Sequence, residues 1–212
     1  MEAPERAAGA ASAAAGRALG LIRDEHRTLA AVLSGLRFLV HDIQAGRAAP
    51  DFELFRAMTY YIDAYPERLH HPQEENHLFR RLEARTAAAD AVLDELRREH
   101  AAGEAAIRDL EHSLLAYEQS GSLQPFAEAV ETFVADYFSH MRKEEDVVLP
   151  LAVQWLDAAD WTDIAAAFAA NRDPLAGQAE ADFRKLFSRI VNLAPPPLGV
   201  GPPFPRQSQR AS

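Results

Sequence analysis

The chain has 212 residues, 48% hydrophobic and 25% charged, which suffices for one well-filled core and is too short for two large ones. A formal net charge of -10 argues against nucleic-acid binding, which needs clustered Lys and Arg, and suits a cytoplasmic protein. With no cysteine, the chain can form neither a disulfide scaffold nor a thiolate metal site, so any transition metal must be held by nitrogen and oxygen donors.

Both ends of the chain are expected to lie outside the folded core. Residues 1–16 are rich in alanine and lack a run of large aliphatic residues, so we expect a mobile tail rather than a secretory signal. Residues 195–212 are rich in proline, which cannot sustain a helix or sheet, and should form an extended tail. No stretch approaches the roughly 18 uninterrupted apolar residues of a membrane span.

The first predicted helix runs from Gly20 to Gly46. Its apolar residues recur at steps of three, four and seven, which is the stripe of a helix that faces a core. His26 fills the one gap in this stripe. The interruption therefore places an imidazole on the buried side of the helix.

The second predicted helix, from Phe52 to Leu82, is less regular because Pro66 and Pro72 each remove a backbone donor. It carries the motif His70-His71-Pro72-Gln73-Glu74-Glu75. Periodicity alone leaves two inward pairs open, His70 with Glu74 or His71 with Glu75. The spacing to downstream apolar residues matches that of a second motif copy and favours His70 with Glu74.

The third predicted helix, after Asp90, repeats the apolar rhythm of the first, with His100 and Gly103 at the interrupted positions. The fourth predicted helix carries the second motif copy, in which His140 and Glu144 occupy the inner stripe and Glu145 follows. The apolar positions predicted for this stripe are Phe126, Val130, Phe133, Tyr137, Val147 and Leu151.

Short connections between long amphipathic helices imply antiparallel neighbours, so we predict an all-α fold, an up-down-up-down four-helix bundle over residues 17–157. Residues 158–194 should form an accessory C-terminal helical segment that packs outside the bundle. The Pro-rich tail follows.

Two copies of His-x-x-x-Glu-Glu, 70 residues apart, point to a dinuclear metal site. Residues four apart share one face of a helix, so each copy can aim an imidazole and a carboxylate at a common point. A lone histidine on an apolar face is more often a hydrogen-bonded core residue. Here each of four helices carries one, and burying Glu74 and Glu144 without cations would cost several kcal/mol each.

Other polar residues receive lesser roles. Glu75 and Glu145 either bridge, orient a ligand histidine or face water, and His77 is a candidate outer partner. Tyr137, one turn before His140, either bonds a metal-bound ligand or, as more core tyrosines do, satisfies its hydroxyl within the protein.

Taken together, Glu25-His26, the first motif copy, Glu99-His100 and the second copy resemble the hemerythrin-like, or HHE cation-binding, family, over roughly Leu19 to Leu156. The C-terminal segment from Ala167 to Pro197 also resembles the tail of a bacterial subgroup of this family. The resemblance implies two non-heme iron ions. Glu74 and Glu144 would bridge them, and four histidines would be terminal donors: His26, His70, His100 and His140. The oxygen-carrying branch has two histidines one turn apart on its third helix; here Glu104 follows His100 instead. We therefore expect fewer nitrogen donors, with an added carboxylate as one alternative.

The resemblance implies a protein that binds or senses dioxygen, nitric oxide or peroxide, in redox protection or in iron and stress handling. A di-iron oxidase or peroxidase-like enzyme is the alternative, and a helical interaction module without a working metal site is the third. The donor set also accepts manganese or a mixed pair. Whether the chain is an enzyme, which protein it meets and whether it forms a homodimer stay open.

Overall fold

A computed structural model describes residues 3–170 and residue 192, with side chains from residue 13 onward. Within these residues the regular elements are all helical, which confirms the predicted all-α class. The long helices are α1 (Ala3–Gln44), α2 (residues 52–85), α3 (Asp90–Ser120), α4 (residues 123–155) and α5 (Ala158–Ala170). In this part of the chain, no helix is long and apolar enough to cross a membrane. The predicted Pro-rich tail lies outside the described residues.

The first four helices form a ring. Helix α1 contacts α2 and α4, and α3 contacts the same two helices, as in an up-down-up-down bundle. The connections are short and specifically shaped. Asp51 accepts a hydrogen bond from the Leu54 backbone N–H at the start of α2, and Gly121 takes a left-handed φ of 72° between α3 and α4. The predicted bundle is therefore confirmed.

Helices α2 and α4 contain π-helical turns, in which hydrogen bonds run from i to i+5. In α2 they span Asp63–His70 and Glu74–Phe79, and in α4 they span Glu144–Val148. Pro66 lies inside the first of them, where its missing N–H is one source of the irregular backbone. Both motif copies therefore lie next to widened turns.

The π turn in α4 advances the buried face by one residue. Val148 and Leu149 are buried, whereas Val147 is 41% exposed. The prediction that Val147 continues the inner stripe is wrong, because it assumed an unbroken α-helical period through Glu144. Upstream of the turn, the predicted positions Phe126, Val130, Phe133 and Tyr137 are buried.

The buried apolar residues form two clusters with a polar layer between them. The first core cluster includes Leu33, Phe55, Ile107 and Phe126, and the second includes Ile22, Phe79, Leu93, Val148 and Phe168. Between them lie buried histidines and glutamates, which we call the polar layer: His26, His70, His71, Glu74, His100, His140 and Glu144. The bundle thus surrounds a charged centre with apolar packing on both sides.

The two ends of the described chain join the second core cluster. The segment predicted as a mobile tail is helical from Ala3, and Ala14 is buried in this cluster. Alanine has the highest helix propensity, so the helix extends upstream without large apolar residues. Helix α5 lies against α1 and buries Trp161, Ile164 and Phe168. The Phe168 ring is 6.0 Å from that of His70, so α5 reaches the edge of the polar layer.

Candidate metal centre

Each motif copy places its imidazole beside its own carboxylate. His70 Nε2 lies 3.2 Å from Glu74 Oε1 on α2, and His140 Nε2 lies 3.1 Å from Glu144 Oε1 on α4. All four side chains are buried. The four-residue spacing therefore brings each imidazole next to the carboxylate of its own copy, as expected. The two copies face each other across the bundle.

The histidines form two pairs whose ring nitrogens face each other. His26 Nε2 is 3.1 Å from His70 Nε2, and His100 Nε2 is 3.2 Å from His140 Nε2. Two ligands held at right angles about 2.1 Å from one ion would be about 3 Å apart. Each Nδ1 donates to a carboxylate, so a neutral ring turns the lone pair of its Nε2 toward its partner. The two lone pairs repel each other, and a metal cation, or a proton in its absence, relieves this repulsion.

Glu74 and Glu144 lie between the two histidine pairs. Glu144 Oε2 is 3.4 Å from His26 Nε2, and its Oε1 is 3.8 Å from His100 Nε2. Glu74 lies at 3.9 Å from His26 Nε2 and 3.7 Å from His100 Nε2, again through different oxygens. None of these four carboxylate oxygens has a hydrogen-bond partner among the described residues. Buried, unpartnered carboxylates that span two nitrogen pairs fit a pair of bridged cations.

His71 also points inward, although the sequence favoured His70 with Glu74 over His71 with Glu75 as the inward pair of α2. Its ring stacks on that of His100 with centroids 4.0 Å apart. Two groups of four side chains could each hold one ion: His26, His70, Glu74 and Glu144 form the first, and His71, Glu74, His100 and His140 form the second. The structure thus offers five imidazoles rather than the four expected.

A carboxylate accepts a hydrogen bond from the outer nitrogen of each paired histidine. Glu25 binds His70 Nδ1 at 2.7 Å and Glu99 binds His140 Nδ1 at 2.9 Å. Glu25 directly precedes His26, the partner of His70, and Glu99 directly precedes His100, the partner of His140. Side chains from two helices therefore hold each histidine pair in place. Apolar periodicity assigns no role to Glu25 or Glu99, although the Glu-His step that is repeated on two helices is a signal in the sequence.

The second glutamate of each motif copy accepts a hydrogen bond from a histidine of the other pair, on a neighbouring helix. His26 Nδ1 donates to Glu145 at 2.9 Å, and His100 Nδ1 donates to Glu75 at 2.8 Å. Of the roles considered for these glutamates, the orienting one fits the geometry. Such partners fix the ring orientation and raise the basicity of the inner nitrogen.

Without metal, protons compensate the buried carboxylates. Burial opposes charge on His140, but Glu144, Glu74 and Glu99 together outweigh it and raise the pKa of His140 to about 9. The pKa of His70 is raised well above its usual value, because Glu74 and Glu25 outweigh burial. Burial would raise the pKa of Glu144, yet His140 and His100 hold it well below its usual value. His71 differs, since burial lowers its pKa.

Several other candidates lie away from the polar layer. Glu104 is exposed on α3 and pairs with Arg108 at 3.2 Å, so it does not supply the added carboxylate that the sequence suggested. His77 lies on the outer side of α2, where burial and Arg81 lower its pKa. Tyr137 donates its hydroxyl hydrogen bond to Glu67 Oε1 at 2.7 Å. The hydroxyl of Tyr137 is therefore satisfied within the protein, which is the commoner of the two roles considered for it.

Glu67 links Tyr137 to the polar layer. Its Oε2 lies 3.3 Å from His71 Nδ1, and its carboxylate fills the space beside Gly103 on α3. A Cβ at Gly103 would lie 2.3 Å from Glu67 Oε2. The glycine that interrupts the α3 stripe therefore makes room for this carboxylate, which explains an irregularity that the sequence showed without a cause.

All six residues predicted as metal ligands are thus brought together, and both possible groups draw on them with His71 added. The donor set is nitrogen and oxygen only, as a chain without cysteine requires. No curated protein and no solved structure matches this chain. The model of the hemerythrin HHE cation binding domain matches residues 17–152, more than half of the chain. The protein therefore belongs to the hemerythrin HHE cation-binding domain family.

Proposed function

We propose that the polar layer holds two non-heme iron ions and that the protein binds or senses dioxygen, nitric oxide or peroxide, in redox protection or in iron and stress handling. One observation carries the proposal. The four oxygens of Glu74 and Glu144 are buried without hydrogen bonds between two groups of histidines. Charges in such a position need cations, and membership of a cation-binding family supplies the class of cation.

Each ion would have its own nitrogen donors. His26 and His70 would hold one position, and His71, His100 and His140 the other, with Glu74 and Glu144 bridging them. When bound, an iron pair supplies electrons and an open coordination position to a small molecule. The position with two imidazoles has fewer protein donors and is the better place for that molecule.

The chain's own residues limit which molecules can reach this centre. All seven members of the polar layer are buried, with apolar clusters on either side. The apolar clusters exclude bulk water from two sides of the layer and offer no compensation for a charged ligand. These surroundings favour a small neutral ligand such as a gas or hydrogen peroxide. Manganese or a mixed pair remains compatible with the same donors.

The second candidate is a di-iron oxidase or peroxidase-like enzyme, and the orienting carboxylates favour it. Each of four histidines donates to a glutamate, namely Glu25, Glu75, Glu99 or Glu145. Negative charge behind each imidazole makes it a stronger donor and stabilises oxidised metal. A site that holds ferric iron firmly is better suited to turnover than to reversible binding.

Metal analysis followed by anaerobic reduction and exposure to oxygen or peroxide tests the proposal. We expect two iron ions per chain and a visible charge-transfer band on exposure. A band that disappears when oxygen is removed identifies a binder, and repeated turnover with a reductant identifies an enzyme. Purified protein that carries no metal and does not bind added Fe(II) would overturn the proposal and would favour the helical interaction module.

A matched pair of variants separates the site from general acidity. Replacing Glu144 by Gln should remove iron and the band, whereas replacing the exposed Glu104 by Gln should retain both. Both substitutions remove one negative charge from a helix. Equal iron loss in the two variants would contradict a specific site in the polar layer.

The cytoplasmic location expected from the acidic, cysteine-free composition is part of the proposal and is tested by fractionation.

A further inference from the structure

An open slot lies between α3 and α4, on the outer side of the polar layer. Its volume is about 680 Å³, within the range of pockets that bind small organic molecules. The inner end is bounded by Glu67, His71, Tyr137 and His140. A diatomic gas or a peroxide would leave most of this space unfilled.

Small residues on the facing helices keep the slot open. They are Ala102, Gly103 and Ala106 on α3 and Ala129 on α4. The floor is apolar and aromatic, since the buried Leu110, Phe133 and Tyr137 line it. The rings of Phe133 and Tyr137 lie 5.3 Å apart at an angle of 41° and offer an aromatic wall. An apolar or aromatic body fits such a surface.

Carboxylates dominate the charge of the slot, although His140 at its inner end has a raised pKa of about 9. Among the residues that line it, none is Lys or Arg, and the acidic ones are Glu67, Glu99, Asp109, Glu128 and Asp136. Three of these have partners: Glu67 accepts from Tyr137, Glu99 from His140 and Lys143, and Glu128 from Gln124. Asp109 and Asp136 make no ion pair or side-chain hydrogen bond with other described residues, so their charges remain available at the mouth of the slot.

A buried polar atom at the inner end is an independent sign of a ligand. His71 is 6% exposed and lines the slot, and its Nδ1 has no hydrogen-bond partner among the described residues. Glu67 Oε2 lies near it, at 3.3 Å, without hydrogen-bond geometry. A ligand in the slot would meet an unsatisfied ring nitrogen at one end and unpaired carboxylates at the other.

We propose that this slot binds a small organic cation, a primary amine with an apolar or aromatic body. The ammonium group pairs with Asp109 and Asp136, and the body lies on Phe133 and Tyr137, whose ring faces attract cations. An organic anion is repelled by the unpaired carboxylates of Asp109 and Asp136. The slot borders the candidate metal centre through His71 and His140, but binding of the cation requires no metal and can be tested independently of the iron site.

Calorimetric titration of the full chain tests this site with three matched probes: 2-phenylethylammonium, the neutral 2-phenylethanol and the anionic 3-phenylpropionate. We expect saturable binding of the ammonium probe, about 10-fold tighter than the neutral one, which corresponds to about 1.4 kcal/mol. The anion should not bind. The same order should hold before and after metal removal, so a failed iron site and a failed slot give different results.

Variants locate the binding. The double variant Asp109→Asn with Asp136→Asn should weaken ammonium binding about 5-fold to 10-fold, as expected for two partly exposed charge pairs. Ala106→Leu should fill the slot and abolish binding, with folding checked by circular dichroism. Asp146→Asn, an exposed acid on α4 outside the slot, is the charge-matched control and should bind normally. Equal affinity for the neutral probe, or unchanged binding in the slot variants, would overturn the proposal.

Discussion

At the scale of single residues, the two six-residue motif copies agree at three positions and differ at three, and one of the differences changes a candidate ligand. His70, Glu74 and Glu75 correspond to His140, Glu144 and Glu145, but His71 corresponds to Met141. Methionine in place of the fifth imidazole leaves one group of ligands with fewer nitrogens. The asymmetry of the candidate centre therefore comes from one residue pair, and two predictions depend on this comparison.

The first prediction compares Glu144 and Glu145, the two glutamates of the second motif copy. Glu144 is buried without a hydrogen bond between the histidine pairs, whereas Glu145 is half exposed and accepts from His26 Nδ1. Replacing Glu145 by Gln should lower metal affinity about 10-fold to 100-fold, as loss of an outer partner does. Replacing Glu144 by Gln should lower it further. Metal content after the same chelator challenge measures both, and equal retention would contradict the bridging role of Glu144.

The second concerns the fifth imidazole. If His71 is a ligand, one ion has three nitrogen donors and the other has two, so a chelator should remove the ions in two separate phases. Replacing His71 by Met copies residue 141 into α2 and should merge the phases, because both positions then have two nitrogens. Met141→Leu is the control and should retain two phases. Unchanged, well-separated phases in the His71 variant would show that this ring stacks on His100 without binding metal.

At the scale of helices, apolar periodicity predicted the long elements but not their π turns. The stripes of α1 and α3 end up buried, from Ile22 and Leu33 to Leu93 and Leu110. A period of 3.6 residues cannot continue through a π turn, where one extra residue is accommodated. This explains why Val148 replaces Val147 in the core. The π turns in α2 likewise let His70 and His71 both face inward, so the two histidines are not alternatives to each other.

The third prediction compares two helical glycines. Replacing glycine by alanine inside a helix normally stabilises by about 0.5–1 kcal/mol, and Gly20 on α1 has no atom within 4 Å of a new Cβ. Gly20→Ala should therefore raise the free energy of unfolding by that amount. At Gly103 the new Cβ would lie 2.3 Å from Glu67 Oε2. Glu67 must then move and weaken its bond to Tyr137, at a cost of about 1–3 kcal/mol.

We thus expect Gly103→Ala to leave stability unchanged or lower, measured by denaturant unfolding at equal metal content. A gain equal to that of Gly20→Ala would mean that Glu67 relocates freely. A second readout is the near-ultraviolet tyrosine signal, because Tyr137 loses a buried partner. The comparison isolates the contact itself, since both substitutions change backbone entropy equally.

At the scale of the whole molecule, the fold encloses a charged layer between two apolar clusters. The sequence predicted this layer from interruptions in the stripes, and all six predicted residues meet there. It did not predict that α1 would begin at Ala3, because apolar periodicity gives no signal in an alanine-rich segment. It did not predict that Phe168 would pack near His70, because this contact joins segments distant along the chain. Whether residues 1–16 add stability stays a prediction, which truncation tests.

The layer also sets how the whole molecule responds to pH, and this gives the last prediction. In metal-free protein, the pKa of His140 is raised from 6.5 to about 9, so its contribution to stability is complete below the unfolded value and is lost as pH rises through the folded one. Glu144 has a lowered pKa and behaves oppositely, since its contribution is present above 4.5 and is lost as pH falls. Metal-free protein should therefore be most stable between about pH 4.5 and 6.5, where both contributions are complete.

Bound metal replaces those protons and binds only deprotonated imidazoles, so its stabilising effect grows as pH rises. The difference in melting temperature between loaded and metal-free protein should widen steadily from about pH 6.5 to about pH 9, the interval set by the unfolded and folded pKa of His140. Calorimetry of both forms across this interval measures it. His77→Gln is the control, since a histidine outside the layer with a lowered pKa should leave the widening intact. A constant difference would mean that metals do not take the place of the protons on the buried histidines.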